Sequence, residues 1–380
     1  MKQILHTIAD YLRECDKVLY GLAIAASLFG ALAVLSTTYY VMGGAKQLIM
    51  HLLGLLIGIG GAVLITMVDY RKIMNFWFII LVPLVILVLL TFVVGYAPAG
   101  TDDKAWLLLP GGFSVQPAEF LKIGFIISFT WHLAKVSDNI NKPLNLLLLC
   151  VHGAAPVLLI HEQGDDGTAL VFAVMFVAMM FVAGVKARYF IGAICLAAIA
   201  APIVYFVIMN EDQQARVFAL LFPSEEDYLG VLWQQSRGRS ALANGGFFGR
   251  GLFNGPLVQS GSIPEGYNDF IFCSIGEEFG MLGCIIVIAL ICAVCWRILK
   301  TGLSTSDKSG LVMCTGVFAM IGAQTLINIG MNISLLPVIG ITLPFFSAGG
   351  TSLMSLFWAI GLVVNVYMHK TTGLYLRDNY

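Results

Sequence analysis

The run Tyr267-Asn268-Asp269-Phe270-Ile271-Phe272 sets one carboxylate directly against an apolar stretch. Desolvation disfavours the charged form of an acid and moves its pKa up, toward the range useful to a general base. Asp269 is therefore the first candidate for proton transfer, with a helix cap as the structural alternative. A few residues on, Ile275-Gly276-Glu277-Glu278-Phe279-Gly280 adds two adjacent acids. Further upstream, Gln116-Pro117-Ala118-Glu119-Phe120-Leu121-Lys122 places an acid and a base three residues apart, on one helical face where they can pair. Glu119 and Lys122 then either neutralise each other near an interface or present a polar spot to a lipid headgroup. His161-Glu162-Gln163-Gly164-Asp165-Asp166-Gly167-Thr168 crowds three carboxylates into one turn. One of them suffices to cap the helix that follows, which leaves Asp165 as a site candidate or a cap. Asn328-Ile329-Gly330-Met331-Asn332 and the segment Leu336 to Ser352 break an apolar hairpin with Pro and Gly. Irregular backbone at membrane depth persists only where protein or a water-filled cavity covers it.

These groups must be positioned by membrane-spanning helices. Of 380 residues, 59% are hydrophobic and 11% charged, against about half and one quarter in a soluble domain. A span takes about 20 apolar residues to cross a hydrocarbon core of roughly 30 Å. The expected fold is an all-α integral membrane protein of about ten such helices in one polytopic domain. The spans fall at Val18–Thr38, Gln47–Met67, Asn75–Val94, Pro117–Leu133 and Pro143–Ile160. The remainder are Thr168–Val185, Tyr189–Met209, Phe270–Leu299, Ser309–Leu336 and Thr351–Met368. Pro117 and Pro143 suit first-turn positions, where a missing N–H costs little. Between the seventh and eighth spans, residues 210–268 form a polar, Gly-rich extracytoplasmic loop too long to be a mere connector.

Orientation follows from the cations. With the N-terminus inside, the inner segments hold Lys2, Arg13, Lys17, Arg71, Lys72, Lys135, Lys142, Lys186, Arg188, Arg297, Lys300, Lys308, Lys370 and Arg377. The outer segments hold Lys46, Lys104, Arg216, Arg237, Arg239 and Arg250. That bias gives an N-in, C-in chain, and it gathers the acids at helix starts on the outer side. No cleavable signal is expected before the first span, since Met1 to Lys17 is polar. A net charge of −1 and the absence of basic–aromatic clusters exclude nucleic acid as a partner. All eight cysteines lie in or beside apolar spans, so packing rather than a disulfide framework or metal site is expected, the Cys292/Cys295 pair included. Gly54 and Gly58 in the second span read as internal helix packing.

Taken together, QPAEFLK, the QGDDGT turn, NDFIF with GEEFG, and LPFFSAGGTSL resemble the SEDS family of bacterial cell-wall polymerases, whose members include RodA and FtsW. The resemblance runs over nearly the whole chain and includes the Gly-rich stretch Trp233 to Gly251. Where the family usually has other residues, this chain has Lys46, Gly164, Asp166, Arg237-Gly238, Thr342 and Ala348. The phrases Asn328-Ile329-Gly330-Met331 and LPVIGITLPF are closer to the elongation type, RodA, than to the division type.

The resemblance implies a peptidoglycan glycosyltransferase that polymerises lipid II into glycan strands at the outer face of the bacterial cytoplasmic (inner) membrane, for elongation and rod shape. It implies Asp269 as the catalytic base. Glu119, Lys122 and Asp165 would shape the substrate cavity, and Lys46, Arg216 and Arg239 are candidates to contact pyrophosphate. A divalent cation, Mg2+ or Mn2+, bound by pyrophosphate oxygens plus a carboxylate fits such chemistry, with no protein ligand assigned and no organic cofactor expected. The implied partners are lipid II, the nascent glycan strand, membrane lipid and a class B penicillin-binding transpeptidase. A flippase for lipid-linked precursors is the competing function, because charges and broken helices would look alike in it; a scaffold that only anchors other wall enzymes is a third.

Overall fold

In lipid a chain can satisfy its backbone polar groups only within helices or closed barrels, and the computed structural model of this protein is built from helices. It describes residues 11–369 apart from 12, 40–44, 98–103 and 110–112. Lys2, Lys370 and Arg377, counted on the inner side above, lie outside the described residues. In chain order the elements are α1 (Lys17–Tyr39), α2 (Ala45–Thr66), α3 (Tyr70–Asn75), α4 (Trp77–Val94), β1 (Leu107–Leu109), β2 (Phe113–Val115), α5 (Pro117–Lys135), α6 (Pro143–His161) and α7 (Asp166–Ala183). They continue with α8 (Ala187–Ile203), α9 (Glu211–Leu221), α10 (Trp233–Gly245), α11 (Pro256–Gln259), α12 (Ile271–Leu303), α13 (Lys308–Asn332) and α14 (Gly350–His369).

Among the described residues nine helices are long and apolar enough to cross a membrane, so the chain is a multi-pass membrane protein. The remaining expected span, fourth in chain order, is α5, whose 19 residues are of spanning length at a rise of about 1.5 Å each. It is less apolar because it carries Glu119, Lys122, His132 and Lys135. Pro117 and Pro143 occupy the first turns of α5 and α6, as expected.

The core is formed by α12, α13 and α14 against α1, α2, α5 and α7. Gly54 and Gly58 are internal packing: a Cβ on Gly54 would sit 2.6 Å from the Gly350 carbonyl oxygen, and one on Gly58 would sit 2.9 Å from Phe357 Cβ. Helix α8 stands apart, with none of its residues buried.

Beside the helices, β1 and β2 pair antiparallel, Leu107 opposite Val115, ahead of α5. The third span is α4, which starts at Trp77 after the short α3 ends at Asn75. Two expectations are corrected. First, residues 210–268 are not loop throughout, since they hold α9, α10 and α11. Second, the ninth span ends at Asn332 rather than Leu336, because Ser334 takes a left-handed φ of 60° and turns the chain out of the helix.

The acids of Ile275 to Gly280 pin residues 253–259 to α12. Glu277 Oε2 accepts from Val258 N at 2.7 Å and its Oε1 from Leu257 N at 3.1 Å. Glu278 Oε1 accepts from Ser36 Oγ at 2.6 Å, Gln259 Nε2 at 2.8 Å and Phe253 N at 3.1 Å. Gly280, with φ 69°, interrupts α12. The break frees amides of the next turn, so that Met281 N donates to Gly246 O at 2.9 Å and Leu282 N to Phe247 O at 3.1 Å. The 210–268 segment is thereby fixed to the helix that begins beside Asp269.

Candidate functional site

Asp269 lies two residues before the start of α12, next to the N-cap Phe270, and its side chain does not cap that helix. The residue is partly exposed, yet its Oδ1 is buried and accepts no hydrogen bond. An unpartnered buried oxygen is costly in a carboxylate. Burial, followed by the negative charges of Glu265 and Asp165, pushes the Asp269 pKa up from an ordinary 3.8 to about 7. A carboxyl so placed is half ionised near neutrality and has a free oxygen for an incoming proton.

While the carboxyl is free, the backbone around it is held at three successive carbonyls. The Tyr267 carbonyl accepts from Ala348 N at 2.9 Å. The Asn268 carbonyl accepts from Ser347 Oγ at 2.7 Å. The Asp269 carbonyl accepts from the side-chain amides of both Asn328 and Asn332 at 2.8 Å. Asn328 uses its other amide hydrogen on the Ile341 carbonyl at 2.7 Å, so one side chain ties both walls of the site. Asn332 is itself oriented, because its Oδ1 accepts from the Cys273 thiol at 2.9 Å. The two Asn side chains lie one helical turn apart on α13, both fully buried.

The opposite wall is the irregular segment between α13 and α14. Gly340, with φ 67°, brings its backbone against the acid: a Cβ there would lie 3.8 Å from Asp269 Oδ2. Gly167 in the first turn of α7 lets this segment approach, since a Cβ on it would meet the Ile339 carbonyl oxygen at 2.6 Å.

Asp165 is the N-cap of α7. Its Oδ1 accepts from Thr168 N at 2.8 Å, and its Oδ2 from Gln116 Nε2 at 2.7 Å. It is thus a cap whose charge also reaches Asp269. Asp166 turns the other way, to His161 Nδ1 at 2.5 Å and Gln213 Nε2 of α9 at 2.8 Å.

Glu119 and Lys122 pair at 2.8 Å, and Glu119 Oε2 also accepts from Ser355 Oγ of α14 at 2.8 Å. Expected at an open headgroup-facing surface, the pair is instead sealed, with 4% and 1% of each residue exposed. Pro117 starts α5 early enough that its first turn is already covered by α14. Glu119 and Lys122 therefore brace the helix whose entry residue, Gln116, holds Asp165.

The three basic candidates do not converge. Arg216 on α9 is exposed and donates to the Val338 carbonyl at 3.1 Å, beside the Gly340 segment. Arg239 on α10 is exposed and lies over the Tyr228 ring at 5.7 Å. Lys46 is exposed in the first turn of α2.

Sequence reasoning quoted Asn328, Asn332, Ser347 and Gln116 within motifs but gave none of them a role at the site. The available signal was two amides four residues apart in an apolar helix, since such groups must find partners inside the bundle. Asn328→Ala leaves the Ile341 carbonyl without its donor, which is expected to cost about 1–3 kcal/mol. Displacement of Asp269 should then lower any turnover that depends on it by up to about 100-fold. Thermal unfolding in detergent and a turnover assay on the same preparation check both.

Known proteins resemble this chain over most of its length. The family model described as cell cycle protein, grouping FtsW, RodA and SpoVE, matches residues 15–372. The probable peptidoglycan glycosyltransferase FtsW of Geobacter metallireducens is 30% identical over 363 residues, 92% of this chain and 94% of that protein. The peptidoglycan glycosyltransferase MrdB of Escherichia coli is 30% identical over 288 residues, 76% of this chain and 77% of that protein. Among solved structures, a peptidoglycan synthase complex that coordinates polymerisation and crosslinking matches with a TM-score of 0.79 at 25% identity, covering 94% of this chain and 98% of that one. The rod shape determining protein RodA of Thermus thermophilus matches in fold, with a TM-score of 0.68 at 22% identity over 94% and 97% of the two chains.

Proposed function

This chain belongs to the FtsW/RodA/SpoVE family of cell cycle proteins, and from that premise we propose that it is a peptidoglycan glycosyltransferase with Asp269 as its general base. Relatives named as peptidoglycan glycosyltransferases match over most of their length and most of this chain. The single observation that carries the residue assignment is the free, buried Oδ1 of Asp269 on a backbone held at three carbonyls.

The reaction joins a sugar hydroxyl of the acceptor to the anomeric carbon of a donor whose leaving group is a lipid pyrophosphate. Forming a β bond from an α donor is one in-line displacement. Asp269 takes the proton of the acceptor hydroxyl as the new C–O bond forms, and the electron pair of the broken bond leaves on pyrophosphate. A base on the nucleophile side is needed, and an acid for the leaving group is not. Lipid II is the substrate of this reaction, and the acids at the outer ends of α5, α7 and α12 suit the outer face of the cytoplasmic membrane in the N-in, C-in orientation of the positive-inside rule.

The leaving pyrophosphate needs positive charge. Arg216, the basic candidate seated beside the Gly340 segment, is the first choice to supply it, with Lys46 and Arg239 farther out. Among the described residues no three His, Cys, Asp or Glu side chains group as a metal cage. Mg2+ is commonly held by one or two carboxylates plus substrate phosphates. A Mg2+ or Mn2+ ion held chiefly by the substrate's phosphate oxygens would neutralise developing charge on the leaving group, with no protein ligand assigned to it.

A class B penicillin-binding transpeptidase is the fitting partner, in keeping with the described purpose of the synthase complex the chain resembles. An elongation role rests on the phrases around Asn328 and Leu336, while relatives of both the division and elongation types match. Transport is separated from polymerisation by lipid II presented in detergent, where translocation has no meaning. The purified chain with its transpeptidase partner and Mg2+ is expected to yield glycan there, whereas a flippase would yield none.

A further inference from the structure

Arg239 on α10, the basic candidate farther out, borders a cavity of about 60 Å3 that the chemistry above leaves unused. The cavity lies between the end of α9, one face of α10 and Ser334, just past the end of α13. One ordered water needs about 10–15 Å3, so the space suits a group the size of one small residue. Its floor is apolar, with Ala219 and Leu232 at 2% and 7% exposure. The guanidinium of Arg239 lies over the Tyr228 ring at 5.7 Å, within the range that holds a cation in place. Among the described residues no carboxylate pairs with it. The neighbouring Asp227 is engaged elsewhere, accepting from Ser224 N at 2.8 Å and Ser224 Oγ at 2.6 Å.

Two further observations make this a built pocket. Gln235, only 2% exposed, spends both hydrogens of its amide on the Met331 and Leu336 carbonyls, at 3.0 and 2.8 Å. Its amide oxygen is what remains for the cavity it lines. Ser334 takes a left-handed φ of 60°, and its buried hydroxyl has no hydrogen-bond partner. A buried polar group left unpaired is costly, and a ligand oxygen would supply the partner. A fixed cation, a hydroxyl donor and one amide acceptor over a small apolar floor suit a carboxylate with an adjacent amide N–H and a small side chain. The last residue of a peptide has those properties. A phosphate group fits less well, because it presents only oxygens and one would face the oxygen of Gln235. The cavity is also within reach of the base. Ser334 and Gly340 end one segment, with Gly340 against Asp269, and that segment even fully extended covers at most about 21 Å. A short peptide attached to a sugar at Asp269 spans it.

Resting on the reading of this chain as a peptidoglycan glycosyltransferase, we infer that the cavity binds the C-terminal carboxylate of the peptide carried by the substrate. Arg239 pairs with the carboxylate, and the Gln235 oxygen accepts from the last peptide N–H. The probe is N-acetyl-D-alanyl-D-alanine, whose side chains are small enough for the floor, observed by saturation-transfer NMR against the full chain in detergent. Its methyl ester and inorganic phosphate are the comparisons. The free acid is expected to bind about tenfold more tightly than the ester and to resist displacement by equimolar phosphate. Arg239→Gln, a change at an exposed position, should raise the dissociation constant of the acid about tenfold, with the ester and thermal unfolding unaffected. Ser236→Phe, which fills the cavity from α10, should abolish binding of both. Asp269→Asn should bind the dipeptide as the unaltered chain does, since the base does not line the cavity. No binding of the acid, equal binding of acid and ester, displacement by phosphate, or indifference to Arg239→Gln overturns the inference. A chain that binds the dipeptide through Arg239 but makes no glycan from lipid II would leave the cavity's role standing and sink the polymerase assignment instead.

Discussion

Asp269→Asn is expected to lower glycan synthesis from purified lipid II by about 100- to 10,000-fold, the usual worth of a positioned general base. Asn has the same shape and cannot take a proton. The backbone clamp by Asn328, Asn332 and Ser347 acts on carbonyls, so it is untouched by the change. Binding of the substrate should accordingly survive while turnover does not. The unaltered protein should show a rate that rises with pH and levels off above about 7, because only the ionised carboxylate is the base. The same group makes a second expectation about stability. Its native pKa lies above its unfolded value, so between 3.8 and about 7 the native state holds a proton that the unfolded chain has released. Stability contributed by this group therefore falls as pH rises through that window. Asp269→Asn removes the loss: its unfolding midpoint should exceed that of the unaltered protein at pH 8 and converge with it near pH 4.

Lys122→Met is expected to be the most damaging single change to the fold. Lys122 and Glu119 are sealed together at 2.8 Å, with Ser355 Oγ on the other carboxylate oxygen. Removing one partner of a buried pair strands the other charge and costs about 3–5 kcal/mol, while replacing both with apolar residues of similar volume can be neutral. Glu119→Leu combined with Lys122→Met should thus recover most of the unfolding temperature lost in Lys122→Met. Activity is expected to return only in part, because Gln116, which holds Asp165, sits on the turn that the pair braces. A single and a double variant equally destabilised would show that the pair is not what holds α5 against α14.

The spans and the desolvated acid at position 269 were legible in the sequence because each is a local signal. A run of apolar residues is complete within its own segment, and Asp269 stands out by contact with Phe270 to Phe272. The Glu119–Lys122 pairing was legible for the same reason, being three residues long. Its burial was not, since Ser355 and α14 lie more than two hundred residues away. Distance along the chain also hid the clamp: Asn328 and Asn332 are some sixty residues from the carbonyl they hold, and hydropathy sees only two polar interruptions. The helical content of residues 210–268 was missed because α9 and α10 are short and polar on average, with α9 fixed at its start by the Asn210–Gln213 capping box and α10 without a side-chain cap. The ninth span was drawn four residues too long for the opposite reason. Ile333, Leu335 and Leu336 continue the apolar run after the backbone has already turned at Ser334.

The central claim is that a free, desolvated carboxyl at position 269 removes the proton from the attacking hydroxyl. Initial rates of glycan formation from lipid II in detergent, measured from pH 5.5 to 9 with the unaltered chain and with Asp269→Asn side by side, test it most directly. The expected result is a rate that climbs to a plateau above about 7 for the unaltered chain and a flat, near-background line for the variant. Glycan made by Asp269→Asn at a rate close to that of the unaltered chain would contradict the account.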